Sequence, residues 1–300
     1  MKRIAIALLS LPALLALGEA VTFYAMNRNN GTIVSSGVAR SYLLYVPKSY
    51  DRTKATPLVI SMHGAGGWPK QQLDVSEWNQ LADREGCIVV YPSGQTRGGP
   101  RVWRVAAGPA PNRDVLFISD LIDKLEADYN IDPRRIYANG LSNGGGMSAV
   151  LACASWNRIA AVGLVGAART LPRNWCTDHH PVPMIDFHGT EDPMALYDGG
   201  TSWVVSEPLP NVPRWDASWA QRNRCDPRPV ETSVTTDVTR REYVHCADDA
   251  SVVLYTIHGG GHTWPGGGPL PEWFAGRTTH SIDATSEMWA FFQAHPLRRK

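Results

Sequence analysis

Along the chain, short apolar runs rich in β-branched and aromatic residues alternate with stretches of helical period. "SYLLYVP", "PLVISMHG", "CIVVYPSG", "RRIYANG", "IAAVGLVGAA", "PMIDFHG" and "VVLYTIHG" each read as a strand. Several are apolar almost without interruption, as strands covered on both faces must be. Between them lies a helical pattern with Val115, Ile118, Leu121, Ile122, Leu125 and Tyr129 on one face, expected to be capped by Asp114 and to end before Pro133. "IDATSEMWAFFQAH" near the C-terminus is a second helix. Strands alternating with helices predict an α/β fold, a mostly parallel sheet with helices on both faces. No repeat, low-complexity linker or shift in composition marks a second domain. Three Pro- and Gly-rich stretches, Gly98–Pro111, Gly199–Pro213 and Gly259–Pro271, read as long loops over one core.

The first twenty residues depart from this pattern. "MKR" precedes the apolar run "IAIALLSLPALLAL", and Gly18 and Ala20 supply small residues for cleavage. The run is too short to span a bilayer, so residues 1–20 are expected to be a signal peptide and 21–300 one exported catalytic domain, periplasmic or secreted. Lys2, Arg3 and Glu19 lie in that leader, and its removal reduces 29 basic and 28 acidic residues to 27 of each. A formally neutral chain has no electrostatic footprint for nucleic acid. No later segment is apolar enough to anchor it in a membrane. In an oxidising compartment the five cysteines invite pairing. Cys225 and Cys246 bracket one segment and Cys153 and Cys176 another, which leaves Cys87 in "GCIVVYP" as a free, buried small hydrophobe. No ligand spacing of a metal site is present, so no metal and no cofactor is expected.

In an open α/β sheet, chemistry collects where the strands end. The residues just after each predicted strand are therefore informative. "RRIYAN" runs into Gly140-Leu141-Ser142-Asn143-Gly144, a G-x-S-x-G pentapeptide, then into "MSAVLACA". Such a serine sits on a sharp turn between strand and helix with its Oγ projecting, and the helix N-terminus aims N–H groups at whatever Oγ attacks. "PLVISM" is followed by His63-Gly64-Ala65-Gly66-Gly67, which can supply another backbone donor. After "PMIDF" comes His188-Gly189-Thr190-Glu191-Asp192, and after "VVLYT" comes "HGGGHTWPGGG" with His262. Asp192 is favoured as the acid over Asp186, which lies within the strand, and over Glu191. His262, beyond three glycines, is favoured as the base over His258. His63 and His188 open glycine turns and are expected to bond backbone. Trp264, two residues from His262, either fills the loop or, as a substrate contact, forms a wall of the acyl or alcohol pocket. The order Ser, Asp, His is that of the α/β-hydrolases.

These motifs carry a resemblance. "VARSYLLYVP", "LVISMHGAGG", "REGCIVVYPSG", "YNIDPRRIYANGLSNGGGM", "FHGTEDPM", "WAQRNRC" and "GGGHTWPGG" occur in this order across most of the chain. Together they resemble the secreted esterase family that groups polyhydroxybutyrate depolymerases with feruloyl and acetylxylan esterases, the first carbohydrate esterase family. The resemblance implies an α/β-hydrolase fold with Ser142 as nucleophile, Asp192 as acid and His262 as base. It implies an oxyanion hole from the N–H groups of Ala65 and Asn143, and a substrate contact at Trp103. The usual Trp-Asn pair is here Trp103-Arg104, and Cys87 replaces a larger apolar residue. The expected activity is hydrolysis of soluble esters, feruloyl or acetyl groups on plant polysaccharide fragments, with hydroxyalkanoate oligomers second. A catalytically silent carbohydrate-binding protein and a peptidase of the same fold are the rivals. The oligomeric state is not encoded in any motif.

Overall fold

The computed structural model describes residues 29–96, 99–105, 112–167, 180–268 and 270–298; the expected leader, residues 1–20, and Cys176 lie outside the described residues. Among the described residues ten strands form a single sheet: β1 (Gly31–Ser35), β2 (Val38–Tyr45), β3 (Thr56–Met62), β4 (Ile88–Pro92), β5 (Ile131–Leu141), β6 (Ala161–Val165), β7 (Met184–Gly189), β8 (Val230–Thr235), β9 (Val238–Tyr243) and β10 (Val252–Ile257). Their spatial order is β1-β2-β4-β3-β5-β6-β7-β10-β9-β8. From β4 to β10 every neighbouring pair is parallel. Antiparallel strands extend the sheet at both ends.

All seven strands expected from apolar runs are present, and β1, β8 and β9 are the additions. The missed strands carry little apolar signal because they are covered poorly. β8 is "VETSVT", exposed at all but its last residue, and β9 is "VTRREY". Antiparallel strands at an edge can face water, whereas central parallel strands cannot.

Successive side chains of the central strands enter opposite faces, and each face meets its own helices. On one side Leu58, Ile60, Ile88, Val90, Ala138 and Leu164 pack against α3 (Arg113–Asp128), α4 (Asn143–Ala154) and α5 (Val212–Arg222). On the other side Val59, Val89, Tyr137, Phe187 and Tyr255 meet α1 (Pro69–Ser76), α2 (Trp78–Glu85) and α7 (Ala284–Ala294); α6 (Glu272–Ala275) is a single turn before the last. There the ring of Phe292 stacks 4.7 Å from that of Tyr137. This is the α/β-hydrolase fold expected from the sequence.

One local expectation, the cap at Asp114, needs correction. The cap of α3 is Asn112, whose Oδ1 accepts from the N–H groups of Asp114 and Val115. Asp114 is buried, one residue into the helix, where it accepts from Arg40 at 2.9 Å and from the backbone N–H of Arg104 at 2.9 Å. The helix is over by Tyr129, and Pro133 falls inside β5. It sits where the β3–β5 register shifts between the pairs at Thr56 and Leu58, a place where a strand tolerates a missing N–H.

Candidate active site

Parallel register brings the carboxyl ends of the central strands to one edge: Met62 of β3 lies opposite Gly140 of β5, and Leu141 opposite Val165 of β6. Ser142 comes next, in the sharp turn between β5 and α4. Its φ of 56° and ψ of −118° are a strained conformation for a residue with a side chain, costing on the order of 1–3 kcal/mol. The surroundings enforce it. Ser142 N–H donates to Val165 O at 2.8 Å, and Gly146 N–H donates to Ser142 O at 3.0 Å. A Cβ on Gly144 would lie 2.1 Å from Met62 O, so the pentapeptide glycine is a steric requirement. Because the helix ladder begins with Gly146, the N–H of Asn143 lies ahead of it and is available to a ligand.

The turn after β3 closes the other side. A Cβ on Gly64 would stand 3.3 Å from Ser142 Cβ, and the adjacent Ala65 is exposed. His63 anchors this turn. Its Nδ1–H donates to Gly64 O at 2.7 Å, and its Nε2 accepts from Gly94 N–H at 3.0 Å, which requires the neutral ring. Burial pushes its pKa down to about 4, with the bond to Gly64 opposing and the Arg101 charge assisting. Trp103 fastens the same turn to the helix start. Its Nε1–H donates to His63 O at 2.9 Å, and its backbone N–H donates to Asn143 Oδ1 at 2.7 Å. Trp103 is only 2 % exposed. In this structure it ties the turn after β3 to the start of α4, a brace where a substrate contact was expected.

Asp192 and His262 meet at the same edge. Asp192 is buried in the turn after β7, where Oδ1 accepts from Met194 N–H and Ala195 N–H, both at 2.8 Å. His262 Nδ1–H donates to its Oδ2 at 2.7 Å. Burial alone would raise the Asp192 carboxyl; the charge and hydrogen bond of His262, the charge of His188 and the Ala195 N–H outweigh it and hold the group below the usual carboxylate range. A Cβ on Gly166 would come within 3.0 Å of His262 Nδ1 and 3.2 Å of Asp192 Oδ2. Gly166 directly succeeds Val165, the residue that holds Ser142 N–H. The three expected residues therefore converge on the end of β6.

The rivals lie elsewhere. Glu191 is exposed, Asp186 is inside β7, and His258 is an exposed residue whose Nε2 faces Thr239 Oγ1 at 3.2 Å. His188 Nε2–H donates to Ala195 O at 2.6 Å, the backbone role expected of it, and also lies 3.4 Å from Asp192 Oδ2. Trp264 requires a second correction. It is 1 % exposed, and its Nε1–H donates to Thr285 Oγ1, which donates to Ser76 O. It belongs to the core beneath the loop.

Several supports of His262 carried no local signal. Its backbone N–H donates to Ala275 O at 2.5 Å. Arg277 donates through Nε to Gly259 O at 3.1 Å and through Nη2 to His258 O at 2.8 Å, and both Nη atoms reach Asp237. The hydroxyls of Ser281, Thr279 and Thr235 hold the Asp237 carboxyl well below its ordinary value. Farther off, the disulfide Cys225–Cys246 is formed, Cys153 is disulfide-bonded, and Cys87 is free and buried, its thiol pushed up to about 12 by burial.

Comparison with known proteins adds the family context. A family model described as esterase PHB depolymerase matches residues 40–208. Feruloyl esterase B of Piromyces equi is 30 % identical over 229 residues, which are 74 % of this chain and 42 % of that protein, so the chain spans less than half the length of this relative. Feruloyl esterase C of Emericella nidulans is 28 % identical over 298 residues, 95 % of this chain and 97 % of its own. An acetyl xylan esterase from Aspergillus awamori superposes with a TM-score of 0.60 over 87 % of this chain and 98 % of its own, at 16 % identity, a likeness of fold.

Proposed function

Because the chain belongs to the esterase PHB depolymerase family and is thereby a carboxylic ester hydrolase, we propose that Ser142, His262 and Asp192 are its catalytic triad. The observation that carries this reading is the 2.7 Å bond from His262 Nδ1 to buried Asp192 beside the strained Ser142 turn. Ser142 Oγ attacks the ester carbonyl carbon while His262 Nε2 accepts the hydroxyl proton. The N–H groups of Asn143 and Ala65 receive the tetrahedral oxyanion, and each such donor contributes roughly 10²–10³ in kcat. The intermediate collapses, His262 returns the proton to the leaving alcohol, and the acyl group stays on Ser142. Water activated by His262 then attacks the acyl carbon and releases the acid. Asp192 fixes the Nδ1–H tautomer and stabilises the imidazolium.

The substrate class is a soluble ester, a feruloyl or acetyl group on a plant polysaccharide fragment, as the names of the relatives suggest. The family description favours short hydroxyalkanoate oligomers as the second reading. Export by the N-terminal leader, with residues 21–300 as one catalytic domain, fits the disulfide at Cys225–Cys246. The test is a panel of methyl ferulate, acetylated xylan fragments and hydroxybutyrate oligomers, run beside fluorophosphonate labelling. Turnover on the first two and a label that disappears in Ser142→Ala are expected. An unlabelled wild-type protein would identify a silent binding protein instead.

A further inference from the structure

Three aromatic side chains remain on the surface beside the site. Trp203 is 65 %, Trp273 87 % and Phe274 41 % exposed, and Val204 next to Trp203 is 48 % exposed. They form one cluster: the Phe274 ring lies 5.5 Å from Trp203 and 5.7 Å from Trp273. The other exposed large apolar residues among those described, Val34, Leu116, Val230 and Val234, are scattered over β1, α3 and β8.

The cluster is fastened to both proposed catalytic loops. Trp273 and Phe274 stand on α6, whose last residue, Ala275, accepts from His262 N–H. Trp203 stands at the tip of a loop closed by paired bonds between Gly200 and Leu209. In that loop Ser202 Oγ–H donates to Met194 O at 2.6 Å, and Met194 N–H donates to Asp192 Oδ1. One loop thus joins rings to the base and the other joins a ring to the acid.

We propose that this cluster is a glycan-stacking subsite that receives the neutral sugar chain bearing the ester; the proposal rests on the ester-hydrolase reading. An indole left largely in water suits a partner that stays wet, and a sugar ring offers a C–H face to an aromatic ring while its hydroxyls remain solvated. Arg277 near the rings is engaged by Asp237, and Glu272 and Glu207 beside them are acidic, so the rings offer an anionic partner no opposite charge. The interplanar angles of 66° and 61° prevent the three rings from lying on one plane. A flat solid polymer could meet one ring at a time, whereas a single twisted chain presents successive sugar faces at different angles.

The test combines binding and kinetics. In a native gel containing soluble arabinoxylan, Ser142→Ala protein should be retarded, and Ser142→Ala with Trp273→Ala and Trp203→Ala should migrate as in a gel without polysaccharide. In the active protein, Trp273→Ala should raise KM for a feruloylated xylo-oligosaccharide about tenfold relative to its effect on KM for methyl ferulate, the worth of one stacking contact. Equal KM changes on both esters, no retardation of the Ser142→Ala protein, or stronger adsorption to a polyhydroxybutyrate film than to arabinoxylan would each overturn the subsite. Should the wild-type protein turn over no ester, the ester reading falls while the gel still decides the subsite.

Discussion

Ser142 and His262 occupy one edge of one sheet, yet they are held in place by different means. Around Ser142 the contacts are backbone against backbone: the carbonyl of Val165, the first turn of α4, and a Gly144 that passes Met62 O with no room for a Cβ. Around His262 they are hydrogen bonds from distant parts of the chain, with Asp192 seventy residues before it and the Asp237–Arg277 pair spanning its loop. The first region is fixed by shape and stores strain. The second is fixed by the buried Asp192 bond and, around it, by polar staples at the half-exposed Arg277, where single interactions are worth less. Substitution should therefore fail abruptly on the serine side and at Asp192, and by degrees among the staples around Arg277.

The largest effects test the chemistry common to both regions. Ser142→Ala should remove nearly all turnover, and Asp192→Asn, which leaves the His262 tautomer unfixed, should lower kcat by about 10⁴. Glu191→Gln, on an exposed side chain one residue away, should stay near wild type. Steady-state kinetics on methyl ferulate checks all three, and a dead Glu191→Gln with an active Asp192→Asn would reassign the acid.

The same contrast explains what is legible in the sequence. The serine turn is legible because its determinants are contiguous: an apolar strand, glycines where only glycine fits, a helix of small residues. The six parallel strands, β3 to β7 and β10, are legible because burial on both faces demands unbroken apolar runs. β8 and β9 are not, since "VETSVT" and "VTRREY" are as polar as loops. Arg277 and Asp237 lie forty residues apart in segments with no pattern, and only the fold brings them together. Trp103 and Trp264 mislead because a tryptophan near a motif looks the same whether it faces substrate or core. Sequence spacing does not reveal that Trp264 is turned toward Thr285 or that Trp103 is tied to His63.

His63 offers a test confined to the serine side. Its folded pKa of about 4 lies below its ordinary 6.5. Between those values the unfolded chain takes up a proton that the folded protein refuses, so stability is full above the ordinary value and declines as pH falls toward the folded one. The loss over that window should be about 3 kcal/mol. Protonation would also remove the acceptor for Gly94 N–H. The lowered Asp192 carboxyl adds a further loss only at lower pH, as its folded value is crossed. Urea unfolding at about pH 7 and about pH 5 should show the decline in wild type and a flatter dependence in His63→Asn. An unchanged slope in the variant would move the acid sensitivity to the histidine side.

The smallest expected effect bears most directly on the comparison. Arg277 bridges two loop carbonyls, Gly259 O and His258 O, to the Asp237 carboxylate, with nearly half its side chain exposed. Arg277→Ala should leave the fold intact, because Asp237 keeps its hydroxyl partners and no charge is stranded in the core. The loop before His262 should lose its polar clamp while the Ala275 bond and the Asp192 bond remain. A small misplacement of the proposed base then lowers kcat by about tenfold with little change in KM, since the Ser142 side and the proposed oxyanion donors are untouched. Arg277→Lys should recover only part of this, because a single ammonium cannot span two carbonyls and a carboxylate in the planar geometry of a guanidinium. Wild-type kcat in Arg277→Ala would mean that the Asp192 and Ala275 bonds, with close glycine packing such as Gly261 against Ala275 O, hold His262 without the clamp. Both proposed catalytic residues would then be held by buried contacts alone.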